Sequence, residues 1–110
     1  MAKSKITGIV TNIFPEKRQN QLYKHQFIRI VENGTSNVFD VQFYNNKIPE
    51  IKKVKEGQKI DVLVFVNGRH WTDDETEKEG IFLKVNGQLI NPTEDEIVEF
   101  FKGLLKISGQ

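Results

Sequence analysis

Hydrophobic and polar residues alternate over much of the chain, and the alternation is longest at positions 57–71. One set of alternate positions carries Ile60, Val62, Val64 and Val66. A spacing of two places side chains on one face of a β-strand, and three of these four residues are the same β-branched type. The pattern therefore predicts a long strand whose apolar face points into a core.

The other face of this strand is polar except for Leu63 and Phe65. Large apolar side chains on a solvent face need cover, either from another element of the chain or from a partner. Two alternatives follow. The residues pack under a C-terminal helix, or they lie in a homodimer interface.

Four further segments have strand patterns, and short turn signals separate them. Asn33-Gly34 is a strong signal for a hairpin. Gly8, inside the first strand, indicates a bulge, a bend or a close approach of two backbones. Polar segments at 16–20 and 72–80 are predicted as loops. The four predicted strands are Ile6–Phe14, Gln21–Val31, Ser36–Tyr44 and Ile81–Ile90.

Positions 45–56 have helical spacing instead, because Ile48, Ile51 and Val54 recur every third residue. A short helix or helical turn is predicted there, with Gly57 as its C-terminal stop.

The C-terminal segment predicts an amphipathic helix that Thr93 and Glu96 open as a capping box. The apolar stripe of this helix comprises Ile97, Phe101, Leu104 and Leu105.

This order of elements resembles the OB-fold, since five strands and a bent first strand can close into a small barrel. The predicted fold is all-β: a five-stranded Greek-key barrel with a short helix between strands three and four and an appended C-terminal α-helix. One domain is expected over residues 1–110, with the barrel at about 5–90 and the helix at about 93–107.

Composition describes an ordinary soluble domain, with 37% hydrophobic and 28% charged residues among 110. No apolar run approaches the roughly 20 residues that span a bilayer, and the N-terminal residues have no signal-peptide core. The chain has no cysteine, which excludes disulfides and thiolate metal sites. These features favour a cytoplasmic protein with no membrane partner.

The net charge is only +1, so a basic surface requires segregation of charge along the chain. Segment 15–29 holds five basic or imidazole side chains against Glu16 alone, whereas segment 73–79 holds five carboxylates against Lys78 alone. Two solvated loops of opposite charge explain this pattern as well as an electrostatic field with a role in function does.

The sequence contains no motif of a catalytic or metal-binding site. His25 and His70 are the only histidines, and neither has a second ligand at metal spacing. The carboxylates of segment 73–79 lack the ligand spacing of an EF-hand, and no phosphate-binding glycine loop occurs. We therefore predict a protein that is not an enzyme and uses no cofactor or metal.

Aromatic and cationic residues interleave on strand two and at the ends of strands three and four. Two of these residues also fit a purely structural role. Phe27 would lie in the core if the register of its strand shifted by one residue, and Trp71 would cap the open end of the barrel if it packed inward. Tyr23 and Tyr44 also fit ordinary strand ends. The candidate nucleic-acid-binding residues are Lys17, Arg18, Tyr23, Lys24, His25, Phe27, Arg29, Tyr44, Arg69, His70 and Trp71.

Four short motifs resemble small bacterial and phage single-stranded-DNA-binding proteins with an OB-fold, over about residues 5–90. The chain ends Lys106-Ile107-Ser108-Gly109-Gln110, without the flexible linker and acidic tip of the bacterial housekeeping members. The motifs are Ile6-Thr7-Gly8, Val38-Phe39-Asp40-Val41-Gln42-Phe43, Lys55-Glu56-Gly57-Gln58 and Gly68-Arg69-His70-Trp71.

The resemblance implies non-catalytic binding of single-stranded nucleic acid on the outer face of strands two and three, by aromatic stacking and phosphate contacts. Single-stranded DNA is favoured, and RNA stays open as a ligand. The alternative is an OB-like protein–protein adaptor. A homodimer through Leu63, Phe65 and the C-terminal helix is also expected.

Overall fold

The computed structural model describes residues 2–108, and within the last helix it describes side chains as far as Gly103. In this part of the chain, six strands and two helices follow one another. They are β1 (Ala2–Ile13), β2 (Lys17–Arg18), β3 (Lys24–Glu32), β4 (Val38–Tyr44), a 3₁₀ helix (Asn45–Lys53), β5 (Lys59–Asp73), β6 (Lys78–Ile90) and α1 (Glu94–Ser108).

The strands form one sheet that closes on itself. Their order is β1-β5-β6-β4-β3-β2, and β1 also pairs with β3, which completes a ring of five strands. The pairing of β4 with β6 is parallel, at Val41 with Val85 and Gln42 with Asn86. The five-stranded OB-type barrel predicted from the sequence is confirmed, and β2 is a short sixth strand at the edge of β3.

β1 belongs to both halves of the barrel because its pairing passes from β5 to β3 around Gly8, with a register shift between Val10 and Asn12. It pairs with β5 from Ala2 to Ile9 and with β3 from Gly8 to Ile13. A Cβ atom on Gly8 would collide with the carbonyl oxygen of Val31 and lie 2.7 Å from Cγ2 of Ile30. Of the three alternatives predicted for Gly8, the close approach of two backbones is therefore present.

The barrel interior is filled by alternate residues of the long strands, as the periodicity predicted. Ile28 and Ile30 are fully buried, so β3 has the predicted register and Phe27 lies on its outer face. The core cluster consists of Ile6, Val10, Ile28, Ile30, Val41, Phe43, Ile51, Val54, Ile60, Val62, Val64 and Ile90.

The predicted loop at 16–20 is partly wrong, since Lys17 and Arg18 form β2 and pair with His25 and Lys24. The chain reverses because the side-chain oxygen of Asn20 accepts hydrogen bonds from the backbone N–H groups of Leu22 (2.8 Å) and Tyr23 (2.9 Å). An asparagine that closes a turn on its own backbone is a local device that apolar periodicity does not reveal.

The predicted acidic loop at 72–80 is mostly strand. β5 and β6 pair as far as Asp73 with Lys78, which leaves a turn at 74–77. At this end Asp73 lies opposite Lys78, and opposite charges at facing positions stabilise a pair of strands. The two strands therefore continue although apolar residues no longer alternate along them. β1 pairs with β5 only as far as Val66, and β4 pairs with β6 only at Val85 and Asn86. Residues 67–84 therefore form a two-stranded hairpin arm that extends beyond the barrel.

The short helix between β4 and β5 ends at Lys53, and Val54 is already extended. Gly57 was predicted to stop this helix, but it lies in the turn before β5 with a φ of 89°. The helix ends earlier because the N–H of Val54 bonds back to Ile51 and the chain then straightens towards β5.

α1 begins with the predicted capping box: the Thr93 N–H donates to Glu96 Oε1 (3.0 Å), and the Glu96 N–H donates to Thr93 Oγ1 (3.1 Å). Among the described residues, no helix is long and apolar enough to cross a membrane.

α1 packs on the outer face of β5, where the ring of Phe100 lies 5.3 Å from that of Phe65. Leu63 is fully buried within the chain. The first of the two alternatives for this face is therefore observed, and the expected dimer contact of Leu63 is wrong because no surface of it is left. The side chains of Leu104 and Leu105, predicted in the apolar stripe, lie outside the described residues.

Candidate nucleic-acid interface

Strands β3, β4, β6 and β5 lie side by side, and their outward residues form one continuous surface, which we call the aromatic face. Across β3 and β4 the outward pairs are His25 with Tyr44, Phe27 with Gln42, and Arg29 with Asp40. Rings, amides and charges are therefore held about one strand spacing apart by the ladder itself.

The hairpin arm extends this face. Asn67 pairs with Lys84 and Arg69 with Phe82, and alternation places Trp71 on the same side as Arg69. Tyr44 joins Asn67, Arg69, Phe82 and Lys84 around a hollow of about 430 Å³. Tyr44 and the distant segment that carries Arg69 and Trp71 thus belong to one surface.

Trp71 is 46% exposed and lies outside the core cluster. Its indole covers the backbone of Gly80, where a Cβ atom would lie 2.7 Å from Cζ2 of the ring. One side of the indole is thus supported by the arm. The alternative in which Trp71 caps the barrel is not observed.

His70 is one of the predicted residues that the fold removes from this surface. It stands opposite Ile81 on the other side of the arm, and its Nε2 lies 3.4 Å from Oε2 of Glu79. Period-two alternation separates it from its neighbours Arg69 and Trp71.

Two rings contact Tyr44 on the aromatic face, and a third contacts one of them. Tyr23 meets Tyr44 edge-on at 6.4 Å, and His25 lies 6.4 Å from Tyr44 and 5.8 Å from Phe27. Edge-to-face contacts hold rings in place and leave ring surface open to a ligand. Tyr23 is 50% exposed, and Nδ1 of His25 is buried without a hydrogen-bond partner among the described residues.

Arg29 is already paired within the aromatic face. Its Nε donates to Asp40 Oδ1 at 2.8 Å and its Nη2 to Oδ2 at 3.0 Å, while the guanidinium lies 5.2 Å from the ring of Phe14. The hydrogen bonds from Arg29 lower the pKa of Asp40 from its ordinary 3.8, so the carboxylate stays charged at neutral pH. A phosphate that approaches Arg29 must compete with this carboxylate.

The remaining predicted cations divide between the two sides of β2 and β3. Lys17 pairs with His25 and borders a hollow of about 290 Å³ together with Phe14, Phe27 and Arg29. Arg18 and Lys24 form the next pair of the ladder, and period-two alternation places them on the side of the strands opposite to the aromatic face.

A family model described as a domain of unknown function, DUF3127, matches residues 5–91. The chain belongs to the DUF3127 family. No curated protein is similar enough in sequence to be counted as a relative of this DUF3127 chain.

The fold of the DUF3127 chain is similar to that of a mitochondrial single-stranded DNA binding protein from S. cerevisiae, Rim1. One crystal form of Rim1 aligns with a TM-score of 0.62 and 21% identity, covering 82% of this chain and 92% of Rim1. A second form aligns with a TM-score of 0.62 and 18% identity, with the same coverage. At these identities the likeness concerns the fold.

Sequence reasoning missed the contribution of β6 to the aromatic face of the DUF3127 chain. Phe82 and Lys84 border both the hollow beside Tyr44 and a second one beside Gln42. The Lys84 ammonium lies 3.4 Å from the Tyr44 hydroxyl. The predicted strand Ile81–Ile90 already held both residues at a spacing of two, but the pairing of β6 with β4, which brings them beside Tyr44 and Gln42, joins distant segments and leaves no local signal.

Proposed function

We propose that this protein binds single-stranded DNA without catalysis, by stacking bases on the aromatic face and placing phosphates near its cations. The observation that carries the proposal is the interleaving of exposed rings with Lys17, Arg69 and Lys84 on one face of an OB barrel. Stacking on an aromatic ring contributes about 1–3 kcal/mol per base and tolerates any base.

The shape of the surface supports binding of an extended strand. The hollows along it share residues: Phe27 borders two, Tyr44 borders two and Lys84 borders three. Together they form an open groove from Phe14, across β4, to the root of the arm. A single strand exposes its bases to such a groove, whereas a duplex keeps them stacked inside.

The test is a fluorescence titration of Trp71 with a poly-dT oligonucleotide at several salt concentrations. Binding of single strands with a negative log–log salt slope supports the proposal. Tighter binding of the matching RNA would assign RNA as the ligand, and absence of binding to either at low salt would refute the proposal.

The protein–protein adaptor stays a second candidate because the opposite side of the arm is apolar. Ile81 is 71% exposed and Leu83 is 62% exposed. Exposed apolar side chains in such proximity are typical of surfaces that meet a protein partner.

Arg69→Ala should reduce the salt slope by about one unit, because Arg69 has no carboxylate partner among the described ion pairs and is free to neutralise one phosphate. Affinities measured across a salt series check this. Lys52→Ala, which removes a cation from the 3₁₀ helix, is the control and should leave the slope unchanged. Equal slopes for Arg69→Ala and the unmodified protein would exclude Arg69 from the phosphate path.

Asp40→Asn should strengthen binding, because it releases Arg29 from its carboxylate partner. An exposed ion pair is weak, so we expect a gain of at most about fivefold at low salt and a steeper salt slope. Asp95→Asn in α1 removes the same charge away from the groove and should have little effect. Weaker binding by Asp40→Asn would mean that Asp40 positions Arg29 for the ligand.

We also propose a homodimer through the outer side of α1, where Val98 is 46% exposed and Phe101 is exposed beside it. Light scattering at micromolar concentration is expected to give twice the 12.8 kDa chain mass. Val98→Asp should return the protein to a monomer, because an unpaired charge in an apolar interface is costly. A monomer in the unmodified protein at every concentration refutes this contact.

A further inference from the structure

We propose that the hollow at the root of the hairpin arm holds one nucleotide and reads its base through the side-chain amides of Asn67 and Asn86. We call this hollow of about 430 Å³ the root pocket, and it is bordered by Tyr44, Asn67, Gly68, Arg69, Phe82, Lys84 and Asn86. The inference rests on the proposed function and adds base discrimination at one position of the strand.

The walls of the root pocket suit a whole nucleotide. Tyr44 and Phe82 border the pocket and offer aromatic surface on which a base can stack. Arg69 and Lys84 border the same pocket and offer positive charge to a phosphate. Rings and cations are thus combined within the space of a single hollow.

The two amides make the pocket more than a stacking site. The side-chain oxygen of Asn86 is buried and has no hydrogen-bond partner among the described residues. An unsatisfied buried acceptor destabilises a protein, and an apolar side chain of similar size would avoid that penalty. The position therefore carries a hydrogen-bonding group that the fold itself does not use.

The oxygen is buried as the side chain stands, so a base edge can use this group once the amide turns about its last torsion. A carboxamide has an acceptor beside two donors, and nucleobase edges present the complementary pairs, as in the bidentate contact of asparagine with adenine. The last torsion of asparagine is two-fold and broad, so a half-turn exchanges oxygen and nitrogen at the pocket. Asn67, partly buried at the same pocket, supplies a second amide.

The root pocket also lies on the path of the strand. It shares Tyr44 and Lys84 with the hollow beside Tyr23, and Phe82 and Lys84 with the hollow beside Gln42. A strand that crosses the aromatic face therefore places one nucleotide in the pocket while its neighbours stack elsewhere.

The experiment compares dissociation constants for dT, dC and dA homopolymers of equal length in the unmodified protein, Asn86→Leu and Asn67→Leu. One bidentate contact discriminates bases by about 5- to 150-fold, so we expect a spread of that size in the unmodified protein. The spread should fall to within about threefold in one or both variants. Asn46→Ala, an exposed amide of the 3₁₀ helix, should keep it. Thermal unfolding of each variant verifies the fold.

The outcomes separate this inference from the proposed function. Equal, tight binding of all three homopolymers by the unmodified protein overturns base reading and leaves single-strand binding intact. A spread that persists in both folded variants overturns the role of the amides. Binding of none of the oligonucleotides overturns both proposals.

Discussion

Gly8→Ala is expected to lower the free energy of unfolding by about 3 kcal/mol, at the upper end of the range for overpacked interiors. The added methyl would collide with the backbone oxygen of Val31 and lie 2.7 Å from Cγ2 of Ile30, which is itself fully buried. The oxygen of Val31 cannot move without disturbing the β1–β3 ladder, and the buried side chain of Ile30 has no free space to move into. For a domain of this size, such a loss lowers Tm by roughly 12–24 °C.

Gly68→Ala is the matched control, because a Cβ atom there would meet side-chain atoms of Leu83 and Ile81 at 3.4 Å and 3.6 Å, which is ordinary contact. Alanine is preferred to glycine within a strand, so the stability should stay within about 0.5 kcal/mol or rise. Thermal unfolding of the two variants decides the matter. Similar Tm values for both would contradict the assignment of Gly8 as the closing point of the barrel.

Replacing Phe27 and Trp71 together by alanine should weaken binding of poly-dT by about 2–6 kcal/mol. Each ring is expected to contribute about 1–3 kcal/mol through stacking. Phe27 lies on β3 and Trp71 on β5, with β4 and β6 between them, so at least roughly 14 Å separates them across the sheet. Effects at such distances usually add.

The single variants Phe27→Ala and Trp71→Ala test whether the two effects add. The control is the double variant Phe27→Tyr with Trp71→Phe, which keeps an aromatic ring at both positions and should bind almost normally. Circular dichroism and thermal unfolding confirm that the barrel is intact, which is expected because neither ring belongs to the core cluster. A folded double variant with undiminished affinity would refute stacking on these rings and move the interface to another face.

The barrel could be predicted because its apolar residues alternate cleanly: Val41 and Phe43, like Ile60 and Val62, reach the core they were assigned to. The capping box of α1 was equally visible, since its two partners are three residues apart and act locally. Both features depend on short-range spacing, which the sequence carries directly.

The candidate interface was predicted less completely, for two physical reasons. The predicted strand Ile81–Ile90 contained Phe82 and Lys84, but local spacing does not show that β6 pairs with β4 and thereby places them on the aromatic face. The ion pair of Arg29 with Asp40 joins neighbouring strands, and its partners are known only once their register is known. Residues that are brought together by pairing of distant strands escape local patterns.

The hairpin arm is expected to be less stable than the barrel from which it extends. A two-stranded hairpin is marginally stable by itself, whereas the barrel strands have neighbours on both sides. Amide protons at positions 69–82 therefore exchange with solvent through local opening of the arm, while those of the barrel require global unfolding. Five of the seven residues that border the root pocket belong to the arm, which opens first, so its occupant also pays for ordering the arm.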